Sequence, residues 1–311
     1  MTQTYIGFDF GGTTIKHGVV DVDGHILTKA AIPTPKDQAS ILTAVSTIVA
    51  QYRKDYPEAC AIGISMPGIV RKDGYLITAG AIQCLYQTDF GHLVEQACGL
   101  PTTVENDANA AAIAEQWLGA ARGVHDYLCV VLGTGVGGGI VINDQIYRGG
   151  HGMAGEFGWM ITENYDLTTD LERHSLNATS AVVDGLCRQY TRAKRQLDPD
   201  FPRVYDARQL YAAAAGGELL AQGMLNQFYA DIALGLIDLI AAFDPELILV
   251  GGGISANADF RAGLAAAVSD LKRRHKSLAR IQPVIDTPVK PTQLKNDAGL
   301  LGAVYQTFHR S

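Results

Sequence analysis

The chain has no pair of cysteines in C-x-x-C spacing, although it contains five cysteines. An odd and dispersed set of cysteines is typical of a reducing compartment, and it argues against a disulfide framework. We therefore expect free thiols and a cytoplasmic protein. The cysteines are Cys60, Cys84, Cys98, Cys129 and Cys187.

The chain also lacks a basic excess and a long apolar run. Its net charge of −7 argues against a surface that binds nucleic acid. The densest basic cluster, 272–276, lies on a predicted helix and is typical of a solvated face. The longest apolar helical pattern, 232–243, is interrupted by Asp238 and is too short to span a membrane. The first strand begins almost at once, which leaves no room for a signal peptide. We expect neither a nucleic-acid partner nor a membrane.

What the chain does have is the composition of a globular protein and a repeated order of elements. Apolar residues make up 47% and charged residues 18% of its 311 residues, which is enough for two domains. Each half begins with strands in a hairpin and continues with alternating helices and strands, which predicts two α/β domains flanking a central cleft. We expect a small domain over 1–120, a large domain over 121–296 that ends in a strand at 281–285, and a helix at 297–311 that packs back on the first domain.

The hairpins are Gly-rich and occur once in each half, from Tyr5 to Val20 and from Tyr127 to Ile142. Both could be ordinary hairpins with Gly in the turn. However, five glycines lie between 133 and 139, and glycine in a strand often marks a close approach to a ligand. Backbone N–H groups in such turns bind anions, so the pair favours a polyphosphate site. The residues that this predicts for phosphate binding are Gly11, Gly12, Thr13, Thr14, Gly133, Thr134, Gly135 and Gly137.

Only the first hairpin carries a carboxylate, because Asp9 corresponds to Val131 in the second. Magnesium takes one or two carboxylates together with phosphate oxygens, so Asp9 is a candidate for the metal side of a Mg²⁺–nucleotide site. A third Gly-rich turn, at Gly251, Gly252 and Gly253, also follows an apolar strand, where α/β sheets bind ligands. The chain has no P-loop. It meets the dinucleotide fingerprint poorly, since the 133–139 glycines lead into a strand.

Asn106 and Asp107 lie at a strand-to-helix junction in the first half. Either residue could simply cap the Ala-rich helix that follows. Alternatively, a carboxylate here could accept a proton from a substrate hydroxyl, which phosphoryl transfer needs in addition to positioning and charge neutralisation. The two nearby phosphate loops favour the second interpretation, with Asp107 as the base.

Four segments together resemble the ROK family of sugar kinases, within the actin-like, ribonuclease-H-like ATPase superfamily. They are 9–14 with Lys16, 105–110, 133–139 and 249–253, in the family's order and over nearly the whole chain. The resemblance implies ATP and Mg²⁺ as cofactors and Lys16 in the phosphate motif. It also implies Asp107 as general base, and Asn106 and Glu156 as ligands of the sugar hydroxyls.

The chain departs from that family at its zinc motif. The usual Gly-Glu-x-Gly-His segment ends here in Trp159, and no cysteine lies between 129 and 187. We therefore expect no structural zinc, since His151 and His174 without cysteines make a poor site. Glu172 resembles the sugar-contacting glutamate that closes the motif. Trp159 could be a core residue or an aromatic platform for a sugar ring.

The sequence therefore predicts an ATP-dependent kinase of a sugar hydroxyl, most plausibly the 6-hydroxyl of a hexose or β-glucoside, acting as a homodimer. A sugar-responsive regulator of the same family would need a DNA-binding segment before the first strand, where the chain has no room. A sugar-binding protein without catalysis is a third alternative, although Asp9 and Asp107 are both retained.

Overall fold

The computed structural model describes residues 3–162 and 168–308. The chain divides into two compact units. The first comprises Met1–His125, Gly139–Gly155 and Gln293–Ser311, and the second comprises Asp126–Gly138 and Glu156–Thr292.

Strands and helices alternate in both halves of the chain, as the sequence predicts. The strands are β1 (Thr4–Phe10), β2 (Thr14–Asp21), β3 (Ile26–Pro33), β4 (Ala59–Met66), β5 (Thr102–Asn106), β6 (Tyr127–Leu132), β7 (Val136–Ile142), β8 (Gln145–Ile146), β9 (Leu247–Gly251) and β10 (Val289–Pro291). The helices are α1 (Gln38–Asp55), α2 (Phe90–Cys98), α3 (Asp107–Leu118), α4 (Leu176–Ser180), α5 (Arg188–Arg195), α6 (Arg208–Ala215), α7 (Leu219–Phe243), α8 (Ala258–Arg274), α9 (Lys276–Ile281) and α10 (Ala298–Thr307).

The strands form two five-stranded sheets with the same topology. The first has the order β3-β2-β1-β4-β5, and the second has the order β10-β9-β6-β7-β8. In the first sheet the hairpin strands pair antiparallel, whereas β1, β4 and β5 are parallel. In the second sheet β6, β9 and β10 are parallel and β7 pairs antiparallel with β8. The predicted repeat of a hairpin followed by parallel strands is confirmed.

Helix α1 illustrates how local sequence sets an element of this fold. Asp37 caps it by accepting a hydrogen bond of 2.9 Å from the Ser40 backbone N–H. Its buried residues recur at helical spacing, so one face packs on the first sheet's core beside Phe8 and Phe90.

Helix α10, from the end of the chain, lies in the first unit. It packs against α3, β1 and β4. Trp117 of α3 and Tyr305 of α10 pack with ring centroids 5.1 Å apart and ring planes tilted by 43°. The N-terminus of α10 lies beside the carboxyl end of β1, since a methyl group at Gly299 would meet the Asp9 carboxylate.

Two expectations about elements of the fold are wrong. The segment 281–285 is not a strand: Ile281 ends α9, Val284 is 87% exposed, and the strand at this place is β10. The second concerns the length of the apolar helical pattern at 232–243, which was expected to be too short to span a membrane. Helix α7, which contains it, is long and apolar enough to do so by length and composition alone. Half of its apolar window is buried inside the structure, where Phe228, Ile232 and Leu236 pack as core residues.

Candidate active site

Asp9 lies at the carboxyl end of β1, where strand register gives it two partners. It faces Lys16 across the hairpin and Ser65 across the parallel pair with β4. The Lys16 ammonium donates to Asp9 Oδ2 at 3.1 Å, and the Ser65 hydroxyl donates to Oδ1 at 3.0 Å. Lys16 is exposed and is able to reach an anion in solvent. The carboxylate and the cation predicted for one phosphate motif are therefore adjacent.

The N-terminus of α10 forms a wall beside this carboxylate. A methyl group at Gly299 would lie 2.5 Å from Asp9 Oδ1, so only glycine leaves room for the carboxylate in this position. Sequence reasoning missed this neighbour because 290 positions separate it from Asp9.

The turn between β1 and β2 exposes the predicted phosphate-binding residues. The Gly11 N–H donates to the Thr14 carbonyl at 2.9 Å and closes the turn. Gly12, Thr13 and Thr14 are exposed. Thr34, at the end of β3, donates from its hydroxyl to the Gly11 carbonyl at 2.7 Å and holds the turn from behind. Thr34 was not predicted.

Asn106 takes the capping role that the sequence left open between it and Asp107. Asn106 is the N-cap of α3, since its Oδ1 accepts from the N–H groups of Ala108 and Asn109 at 2.9 and 3.0 Å. Its amide nitrogen donates to the Gly68 carbonyl at 2.8 Å. Asp107 is exposed in the first turn of the helix, and its Oδ1 accepts from the Ala108 N–H at 2.8 Å. The cap therefore fixes the backbone that carries the Asp107 carboxylate.

The residue before them, Glu105, holds this turn through hydrogen bonds. It is 3% exposed, and its Oε1 accepts from the Asn106 N–H and from the Asn109 amide, both at 2.9 Å. Its Oε2 accepts from Arg148 Nε at 2.9 Å. Four donor groups of the first unit thus converge on one buried carboxylate, counting a second nitrogen of Arg148. No local sequence pattern predicts the Arg148 contact.

In the second unit, the turn from β6 to β7 carries the other predicted phosphate loop. The Gly133 N–H donates to the Gly135 carbonyl at 2.9 Å, and Thr134 is exposed. The Val182 N–H donates to the Gly133 carbonyl at 2.9 Å. The loop is therefore held by the segment that follows α4. That segment forms a six-residue π-helix, Val182–Cys187, before α5.

A cavity of about 750 Å³ opens beside this loop within the second unit. Gly133, Thr134 and Gly253 line it, which brings the second and third predicted Gly-rich turns together. Gly251 is buried at the end of β9, and Gly252 connects it to the cavity wall. The remaining wall was not predicted from sequence, and it includes Val183, Tyr205, Arg208, Tyr211 and Asn257. Burial raises the pKa of the Tyr211 hydroxyl, so this group stays neutral.

The residues predicted for sugar binding in the second unit lie on neighbouring segments. Trp159 is 50% exposed, so the core interpretation of this residue is wrong. It lines a cavity of about 410 Å³ with Thr134 and Glu172. Glu156 is half-buried, and burial raises the pKa of its carboxyl above the ordinary value of 4.5. The cavity joins a phosphate-loop residue to two candidate sugar ligands.

The two histidines near the missing zinc motif belong to different units. His151 is exposed in the first unit, and His174 belongs to the second, where Thr169 contacts its Nε2 at 3.5 Å. Among the described residues, 3–162 and 168–308, one cluster of three potential metal ligands occurs. It consists of Asp21, Asp23 and His25. Asp21 there accepts from the His25 N–H at 2.8 Å, which stabilises the β2–β3 turn.

Comparison with known proteins identifies the family. A family model described as the ROK family matches residues 5–308. The chain belongs to the ROK family. A β-glucoside kinase from Listeria innocua is 36% identical over 300 residues, which cover 96% of this chain and 95% of the relative. A glucokinase from Streptomyces coelicolor is 31% identical over 316 residues, with 96% and 95% covered.

Solved structures agree with this assignment. The crystal structure of a ROK family glucokinase from Streptomyces griseus in complex with glucose and AMPPNP has a TM-score of 0.79 and 30% identity, and the match covers 97% of this chain and 98% of that chain. The resemblance stated from the sequence and the two-domain actin-like fold are confirmed. Sugar kinase is the activity class that these relatives share, and they do not favour the regulator alternative.

Proposed function

We propose that this protein is an ATP-dependent kinase that transfers the γ-phosphate of ATP to a sugar hydroxyl, the 6-hydroxyl of a hexose or β-glucoside. The observation that carries the proposal is the placement of Asp107, an exposed carboxylate on a capped helix start in a ROK chain. Asp107 accepts the hydroxyl proton, the sugar oxygen attacks the γ-phosphorus, and the bond from phosphorus to the β-phosphate oxygen breaks to release ADP.

For the nucleotide, we assign contacts to residues of each unit in turn. The cavity beside Gly133 and Gly253 takes the adenosine, because it combines aromatic and aliphatic walls with a few polar groups. The turns at Gly11–Thr14 and Gly133–Gly137 contact the phosphates through backbone N–H groups. Lys16 adds a positive charge next to the first turn.

Mg²⁺ fits the first of these turns. The carboxylate of Asp9, the Ser65 hydroxyl and the exposed hydroxyls of Thr13 and Thr14 are hard oxygen donors, which is the chemistry that this ion prefers. We propose that Asp9 holds Mg²⁺ through the phosphates of ATP. When bound, the ion neutralises charge on the transferred group.

For the acceptor, we assign sugar contacts to Asn106 and Asp107 of the first unit and to Glu156, Glu172 and Trp159 of the second. The hydrogen bonds of Asn106 to the Gly68 carbonyl and to the start of α3 fix the orientation of its side chain. Half of the Trp159 surface is exposed, which suits a platform for the apolar face of a pyranose. We further propose a β-glucoside as preferred acceptor, since a curated relative is a β-glucoside kinase and the chain lacks the histidine of the family motif.

The remaining parts of the proposal concern the setting in which the enzyme works. We propose a cytoplasmic homodimer whose partners are ATP and a sugar, with neither nucleic acid nor a membrane. The net charge of −7 and the dispersed cysteines support this setting.

A kinase assay across glucose, N-acetylhexosamines and cellobiose, with ATP and Mg²⁺, tests the proposal. Asp107→Asn keeps the size of the side chain, and turnover should fall about 10²–10⁴-fold while the sugar still binds. Asp37→Asn is the matched control, since Asp37 also lies at a helix start, and should leave turnover unchanged. Retention of more than a tenth of turnover in Asp107→Asn would contradict its role. Sugar binding without turnover in the wild type would favour the non-catalytic alternative, and a highest kcat/KM for glucose would contradict the acceptor preference alone.

A further inference from the structure

We infer that Asn177 is a positioning residue that fixes the second phosphate loop, 133–137, against the segment that carries Glu156 and Trp159. The inference rests on the proposed function, because it assigns the two segments to ATP and to the sugar. Asn177 itself contacts neither substrate in this account. It acts through the backbone of the loop.

The first observation is a hydrogen bond at the end of the loop. The Val136 N–H donates to Asn177 Oδ1 at 2.6 Å. Val136 is the first residue of β7 and is buried, so this side-chain acceptor satisfies a donor at the point where the loop becomes a strand. The loop exit is therefore fixed by a side chain 41 positions away in sequence.

The second observation is the packing of Gly158 against the same side chain. A methyl group at Gly158 would lie 2.6 Å from Asn177 Oδ1 and 2.5 Å from the Val136 carbonyl oxygen. Both distances are far below a normal contact between side chains, so Gly158 is the residue that allows the three segments to meet. Because Gly158 lies between Glu156 and Trp159, the position of Asn177 sets the position of both candidate sugar ligands.

The third observation is that the backbone around Asn177 is tied to the acceptor segment. The Leu176 N–H donates to the Met160 carbonyl at 2.8 Å, and the Thr162 N–H donates to the His174 carbonyl at 3.0 Å. These bonds place α4 directly behind the Trp159 turn. Asn177 is the second residue of α4. Its side chain therefore connects α4 and the Trp159 turn to the phosphate loop.

Asn177→Leu tests the inference, because leucine has a similar volume and cannot accept the Val136 hydrogen bond. A small displacement of reacting groups is costly for turnover, so we expect kcat to fall about 10–100-fold. We also expect the Kd for a non-hydrolysable ATP analogue, measured by calorimetry, to rise several-fold. Asn226→Leu, on an exposed position of α7, is the matched control and should leave both values unchanged.

Two further variants separate positioning from general destabilisation. Asn177→Asp keeps the acceptor oxygen and should restore most of the lost kcat at saturating ATP. Gly158→Ala should reproduce the loss in Asn177→Leu, and the double variant should lose little more, since groups that act through one contact are not additive. A kcat in Asn177→Leu above half of the wild-type value, or full additivity with Gly158→Ala, would overturn the inference.

The design also distinguishes this inference from the proposed function. If the wild type phosphorylates none of the sugars, the proposed function fails, and the Kd for the ATP analogue still reports on the loop. An unchanged Kd in Asn177→Leu would then overturn the inference. If Asn177→Leu does not fold, Gly158→Ala and Asn177→Asp provide the same comparison of kcat and Kd.

Discussion

Glu105 and Arg148 form an ion pair in which the side chain of Glu105 is 4% exposed and that of Arg148 is 20% exposed. The pair joins the end of β5 to the segment after β8. Since Glu105 also accepts from the Asn106 N–H, it connects Arg148 to the start of the helix that carries Asp107. The geometry of the candidate base, Asp107, therefore depends on a charge pair at Glu105, two positions before it.

Glu105→Gln should destabilise the protein by about 3 kcal/mol, because removal of one partner leaves the other buried charge unpaired. Denaturant unfolding measures this change. Lys29→Met, which removes a cation from the more exposed Lys29–Asp297 pair, is the control and should cost about 0–1 kcal/mol. Equal effects of the two substitutions would contradict the structural role of Glu105.

Asp9→Ala should weaken the use of Mg²⁺ and ATP and leave sugar binding measurable by calorimetry. The reason is that Asp9 lies between Lys16 and Ser65 beside the first Gly-rich turn. The test is the dependence of the initial rate on Mg²⁺ concentration at fixed ATP. Ser46→Ala, at a partly exposed position of α1, serves as control. An identical Mg²⁺ dependence in the wild type and in Asp9→Ala would exclude the proposed metal role.

Glu156 should make the stability of the ligand-free protein depend on pH. Burial raises the pKa of its carboxyl in the folded state, so the folded protein favours the protonated form. This contribution to stability is present below the ordinary glutamate pKa and is lost as pH rises through the raised folded-state value. Relative to Glu156→Gln, the wild type should therefore lose melting temperature as pH rises above 4.5, the ordinary value. A difference between the two proteins that does not change with pH would contradict this prediction.

Purified protein should contain no stoichiometric zinc by elemental analysis. The chain lacks cysteines between 129 and 187, and hydrogen bonds from Leu176 and Thr162 hold the segment around Trp159. A chelator should therefore leave the melting temperature unchanged when Mg²⁺ is absent. One tightly bound zinc ion per chain would overturn the prediction and would make His151 and His174 the candidate ligands.

The features that the sequence predicted well are those with a local cause. Both Gly-rich hairpins form as expected, because the alternation of apolar residues and the glycines in each turn act within about twenty residues. The capping role that was one alternative for Asn106 also follows from its own sequence neighbours. The roles of the predicted site residues in binding and catalysis remain predictions.

The features that sequence reasoning missed have causes far along the chain. Arg148, Asn177 and Gly299 each contact a site segment that lies at least 41 positions away. No local pattern indicates such a contact. The wrong strand at 281–285 has a different reason, because a short apolar run fits a helix end, a loop or a strand equally well. The actual strand, β10, has only three residues and includes a lysine and a proline.

Gly299, against which the Asp9 carboxylate packs, imposes an order on the assembly of the first unit. Synthesis runs from the N-terminus, so Asp9 leaves the ribosome 290 residues before Gly299. The hairpin of β1 and β2 needs only the first 21 residues to pair, so it is able to form early. The wall beside its carboxylate is completed only after Gly299 has been synthesised. A nascent chain that has not yet reached Gly299 would therefore present Asp9 to solvent on that side, and the surroundings of this carboxylate would be complete only once α10 has been made.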